Sequence, residues 1–133
     1  MSMSRRELRE QIFKMLFRIE FHNVEEYKEQ LGLFFEETEP LDIEDSGYIE
    51  NKVNDITDHL DEIDTLINDA SKGWKTSRMG KVDLTLIRLA VYEIKYEAEI
   101  PTGVAINEAV EIAKKYGTDD SSSFVNGVLA RLV

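Results

Sequence analysis

Apolar residues recur along this chain in steps of three and four, and no segment alternates with a period of two, so the pattern predicts helices throughout. Ser4-Arg5-Arg6-Glu7 opens the first of them as a capping box: Ser4 accepts from the Glu7 amide and the Glu7 carboxylate reaches back. Leu8, Ile12, Met15, Leu16 and Ile19 mark its buried face. Asn23 is placed to cap a second helix with a stripe of Tyr27, Leu31, Phe34 and Phe35. Thr38-Glu39-Pro40 ends it, because the residue before a proline avoids helical torsion angles. Ile49, Val53, Ile56, Leu60, Ile63 and Ile67 form one narrow seam, which predicts a long third helix closed by Lys72-Gly73, with Gly73 left-handed.

The segment VDLTLIRLAVYEIKY is apolar on nearly every side and contains no glycine or proline, so its length favours a central buried helix over a strand. Pro101 precedes a further helix, TGVAINEAVEIAKKYG, whose predicted buried edge is Ile106, Ala109, Val110 and Ala113. Lys114 and Lys115 in its last turn suit the negative end of the helix dipole, and Gly117 follows. Thr118 or Asp119 is placed to cap a last helix carrying Val125, Val128, Leu129 and Leu132. Asn126-Gly127 lies within it, although Asn-Gly between apolar pairs is usually a hairpin signal. Gly127 costs about 1 kcal/mol in helix propensity relative to Ala, which implies a close approach to another helix that Gly127→Leu would destroy. Asn126 and Asn107 are predicted to turn inward. The fold class is all-α, with six or seven helices.

Charge changes this picture. The 133 residues carry a formal net charge of −11, which disfavours polyanions over most of the surface. The charge is unevenly distributed, however. Residues 1–19 hold five basic and two acidic side chains, residues 20–64 hold two lysines against sixteen acids, and residues 72–81 hold Lys72, Lys75, Arg78 and Lys81 with no acid. No cysteine is present, excluding disulfides, thiolate metal sites and a cysteine nucleophile. No apolar run is long enough to span a bilayer and no secretory signal is visible, so a cytoplasmic address fits.

Nothing in the chain announces catalysis. There is no Glu-x-x-His pair for a carboxylate metal site, phosphate-cradling glycine loop, nucleophile elbow or dinucleotide fingerprint. His22 and His59 read as solvated histidines among acids. Arg5, Arg6 and Arg9 are more informative, because they neighbour one another where the helix dipole disfavours cations by about 0.3–1 kcal/mol each. An already strongly charged chain needs no such cations for solubility, so they point to a polyanion; arginine suits RNA through forked phosphate contacts and base stacking. Trp74, within the second basic patch, reads as a core residue beside a connector or as a nucleic-acid contact. Arg88, in the apolar central helix, requires a carboxylate partner such as Glu108.

Three segments, SRRELREQIFKMLF, GKVDLTLIRLAVYEI and VAINEAVEIAKKYGTDDSSSFVNGVL, resemble the NusB family of bacterial transcription antitermination factors. The resemblance covers nearly the whole chain, while residues 20–70 match only in helical pattern. It implies one domain of two packed helical subdomains, about 1–72 and 73–133. It also implies a non-catalytic factor, without a cofactor, that pairs with the small-subunit ribosomal protein NusE. That pair would bind boxA-type single-stranded RNA of ribosomal RNA operon transcripts and help RNA polymerase read through terminators. By position, Arg5, Arg6, Arg9, Lys81, Asp120 and Phe124 would meet RNA, and Asp83 and Phe17 would face NusE. Phe124 is equally suited to a core contact. The chain has Ser123 where the family often has lysine, and Phe17 in place of tyrosine, so RNA binding would depend on NusE. A monomer or a homodimer is compatible with the family. The competing reading is a helical adaptor whose arginines meet an acidic protein.

Overall fold

A computed structural model describes residues 3–133. Seven α-helices and two short 3-10 turns make up its regular structure, with no strand among the described residues. The chain divides into two compact units, Met1–Asp58 and His59–Val133. This division comes well before the boundary predicted near residue 72.

The first unit contains α1 (Arg5–Ile19), α2 (Tyr27–Glu37) and α3 (Ile43–Asp58). The capping box at its start is present: the Glu7 amide donates to Ser4 Oγ at 3.1 Å and the Ser4 amide donates to Glu7 Oε1 at 3.0 Å. Leu8, Ile12, Met15, Leu16 and Ile19 are all buried, as their spacing predicts, and α1 packs against α2 and α3. Arg18 ties the first two helices by polar contacts, donating from Nε to Gln30 at 2.8 Å and from Nη1 to Glu37 at 2.6 Å. Asn23 begins a 3-10 turn at Val24–Glu26 that runs directly into α2. Leu31 and Phe34 are the buried residues of α2, which stops at Glu37.

The long third helix is in fact two. The chain leaves helical geometry at His59 (φ −109°, ψ 11°) and resumes as α4, Leu60–Ser71. No proline or glycine marks the break, and the apolar steps run straight across it. Ile49, Val53 and Ile56 serve the first unit's core, while Ile63 and Ile67 serve the second's. One stripe in the sequence therefore supplies two cores.

In the second unit, α4 is followed by α5 (Lys81–Tyr96), α6 (Thr102–Tyr116) and α7 (Ser121–Ala130). Helix α5 packs against α4, α6 and α7, which accounts for its apolar character on nearly every side. Leu84, Leu86, Ile87, Leu89, Ala90 and Val91 are all buried, at about 1.5–3 kcal/mol for each large aliphatic side chain. Arg88 has the carboxylate partner that a buried arginine requires, donating to Asp64 of α4 from Nε at 2.8 Å and from Nη2 at 2.7 Å. The buried edge of α6 is Ala105, Ala109, Ile112 and Ala113, with Ile106 and Val110 only half-buried. This edge is rotated slightly from the predicted one and is rich in alanine, which brings α6 close to its neighbours.

Three predictions about the last two helices are overturned. Asn107 and Asn126 are exposed rather than turned inward. The start of α7 is not capped by Thr118 or Asp119; its first residue, Ser121, accepts the Thr118 amide at 2.9 Å. Gly127 is exposed, and a Cβ placed there would meet no atom within 4 Å, so it permits no close helix approach. The glycine that does is Gly117, after α6: an added Cβ would collide with the Ser121 side chain and lie 2.8 Å from the Ala113 carbonyl oxygen.

The two glycines therefore predict opposite signs. Gly127→Ala should raise the melting temperature, by recovering about 1 kcal/mol of helix propensity. Gly117→Ala should lower stability by about 1–3 kcal/mol through overpacking. Thermal melts of the two variants beside the parent protein check both, and a destabilised Gly127→Ala would contradict the open surface at that position.

Candidate nucleic-acid interface

The residues singled out by the sequence fall in three places: on α1 in the first unit, and at the starts of α5 and α7 in the second. Arg5 and Arg6 are the first two residues of α1, and both are exposed. Their position is held by the capping box and by Asp45 of α3. This carboxylate is fully buried, and its Oδ2 accepts the Met3 amide at 3.1 Å. The chain entering α1 is thus pinned just before its cationic first turn.

Arg9 departs from the prediction. It is only 7% exposed and has interaction partners within the protein, so it does not lie open beside Arg5 and Arg6. The cause is legible in retrospect: Phe13, one turn further along, is also buried and widens the apolar face to include Arg9's side of the helix. Phe17 is half-buried and continues an aromatic row, with ring centroids 6.0 Å from Phe13 and 5.3 Å from the exposed Phe21.

In the second unit, Lys81 is exposed at the first position of α5 and Asp83 is half-buried two residues on. Asp120 is exposed just before α7. Phe124 is half-buried, and its ring meets Trp74 edge-to-face at 5.7 Å and 77°. Trp74 is not the core residue the sequence favoured: it is 55% exposed. Two consecutive residues of positive φ, Lys72 at 29° and Gly73 at 91°, turn the chain out of α4 and present the indole at the surface. Gly73 thus has the predicted left-handed form, and the sharpness of that turn keeps Trp74 out of the core. The two rings, with Ser71, Gly127 and Arg131, line a groove of ≈ 260 Å³.

Among the described residues no three His, Asp or Glu side chains gather into a metal site. No helix among the described residues is long and apolar enough to cross a membrane. What the molecule offers is surface: exposed cations at one helix start, and an aromatic groove beside an acid-free basic segment.

The profile of the NusB family matches residues 6–133. The chain belongs to the NusB family. It is 58% identical to the transcription antitermination protein NusB of Agathobacter rectalis over 130 residues, covering 97% of this chain and 98% of that protein. It is 51% identical to the NusB of Lachnoclostridium phytofermentans, covering 98% of this chain and 99% of that protein. Among solved structures it resembles T. maritima NusB with a TM-score of 0.88 at 39% identity, covering 99% of this chain and 92% of that one. It also resembles a crystal structure of the antitermination factors NusB and NusE in complex with dsRNA, with a TM-score of 0.83 at 26% identity, covering 96% of this chain and 94% of the matched chain. The protein is a transcription antitermination factor of this family, which is not a family of enzymes.

The capping box links the cationic turn to pH. Hydrogen bonds from the backbone and side chain of Ser4 hold the Glu7 carboxyl below its usual value, and the Arg18 hydrogen bond does the same for Glu37. A carboxylate whose pKa is lower in the folded state stabilises above its unfolded pKa and loses that contribution as pH falls through the folded value. The melting temperature should therefore fall as pH drops from 6 to below 4. Ser4→Ala should cost about 0.5–2 kcal/mol at pH 6 and show a shallower acid loss. Melts of both proteins across this range check the link; parallel pH profiles would disprove it.

Proposed function

We propose that this protein pairs with the ribosomal protein NusE and that the pair binds single-stranded boxA-type RNA in ribosomal RNA operon transcripts, so that RNA polymerase reads through terminators. The observation that carries the reading is the exposed Arg5-Arg6 pair at the start of α1, in a chain of net charge −11 that resembles a NusB solved with NusE and dsRNA. Arginines placed against a helix dipole are costly unless an anion meets them, and phosphate meets them with charge-assisted, forked hydrogen bonds.

Arg5 and Arg6 take phosphates in this reading, and Arg9, largely buried and engaged within the protein, adds its charge to theirs. Lys81 adds a cation, while Phe124 offers a ring to an unpaired base. Asp120 accepts from base amines or orients a basic neighbour. Asp83 and Phe17 face NusE. The excess of acid elsewhere repels RNA from the rest of the surface and makes binding depend on the partner.

Ionic strength tests the role of the arginine pair. Two phosphate contacts to single-stranded RNA account for about −1.4 in the slope of log affinity against log salt. Arg5→Ala/Arg6→Ala should flatten the slope by about that amount and weaken binding to many RNAs alike, with NusE present throughout. If the NusE pair forms yet ignores a boxA-type oligonucleotide at low salt, the protein-only adaptor is the correct reading.

A further inference from the structure

We propose that the groove at Trp74 seats one unpaired nucleobase of the bound RNA, with the indole as its stacking surface. The proposal rests on the RNA-binding reading above and adds a site in the second unit that the arginine patch does not contain.

Trp74 is 55% exposed although a tryptophan gains much from burial. Its edge-to-face contact with Phe124 leaves ring surface uncovered, and the groove of ≈ 260 Å³ in front of it is far larger than the roughly 30 Å³ one water takes. The ring is held in place. The Ser71 hydroxyl, on a residue only 2% exposed, donates to the Trp74 carbonyl, and the Arg131 guanidinium donates to the Ser71 carbonyl at 3.3 Å. A platform whose backbone is tied to α4 at its carbonyl loses less entropy when something stacks on it.

Gly127 supplies the space. It lies on the exposed side of α7 with nothing within 4 Å of where a Cβ would stand, and it lines the same groove. Any larger side chain at this position would project into the room beside the indole. This gives a reason for a glycine in a helix where packing requires none.

Charge selects the occupant. Lys72, Lys75 and Arg78 are exposed along the segment that carries Trp74, and residues 72–81 contain no acid in a chain of net −11. An apolar protein side chain would need the groove but not the cations. A nucleotide uses both, its base on the aromatic ring and its phosphate among the lysines.

Trp74 is the only tryptophan in the chain, so its emission reports on the groove directly. Single-stranded boxA-type RNA is titrated into the protein alone and into its NusE pair, with Trp74→Phe as the fluorescence background and labelled-RNA anisotropy as the binding signal. The expected result is a change in Trp74 emission with the same midpoint as binding. Trp74→Ala should weaken RNA binding by about 5- to 150-fold, the range carried by one base–aromatic stack, while Trp74→Phe retains most of the affinity. Gly127→Leu should weaken RNA binding at least ~5-fold, the lower end of that range, without lowering the melting temperature or the affinity for NusE.

The proposal is overturned if RNA binds with emission unchanged and Trp74→Ala binds normally. It is equally overturned if NusE alone changes the emission and Trp74→Ala loses NusE, which makes the occupant a protein side chain. Sensitivity confined to Arg5 and Arg6 leaves the RNA reading standing and removes only the base seat. Absence of RNA binding by the unmodified pair removes both.

Discussion

Helix α5 is the constraint on which the second unit depends. It meets α4, α6 and α7, so a helix with hardly any polar face must be covered on several sides at once. The single arginine among its apolar residues is tolerable because Asp64 of α4 satisfies it through two hydrogen bonds. That ion pair couples the orientation of α4 to α5, and the end of α4 is where the chain turns out to present Trp74. The path from a buried aliphatic core to an exposed indole is therefore short. It runs through α4, the pair of positive-φ residues and the Ser71 hydroxyl.

The first unit solves a different problem. Its helices carry narrow apolar faces and a dense acidic surface, and the one stretch of net positive charge lies at the start of α1. Reciprocal capping by Ser4 and Glu7 and the grip of the buried Asp45 on the Met3 amide hold that stretch in place. The energetic conflict of cations at a helix N-terminus is stabilised locally rather than avoided, as expected of a surface kept for a ligand. Burial of Arg9 sharpens the distinction between the cations: two are displayed, and a third is buried and engaged within the protein.

The two glycines show how differently one residue type can be used. Gly117 is required because the chain leaving α6 passes too close to Ser121 and Ala113 for a side chain to fit. Gly127 has open space around it and no packing role, which moves its explanation from the core to the groove it borders. Both look alike as letters, each in a stretch rich in small or polar residues.

Periodicity and local chemistry alone determined the helical class, the capping box, the buried stripes of α1 and α5, the left-handed stop at Gly73 and the cationic start of the chain. These follow from interactions between residues a few positions apart, which the order of residues encodes directly. The resemblance in three segments extended that reading to the family. Only the tertiary structure decided the break at His59, the burial of Arg9, the exposure of Trp74, the choice of Asp64 as Arg88's partner and the exchange of roles between Gly117 and Gly127. Each depends on which distant segment arrives beside the residue, and on a backbone turn at a single position. A pattern of apolar spacings, which runs unbroken across His59, carries no record of either.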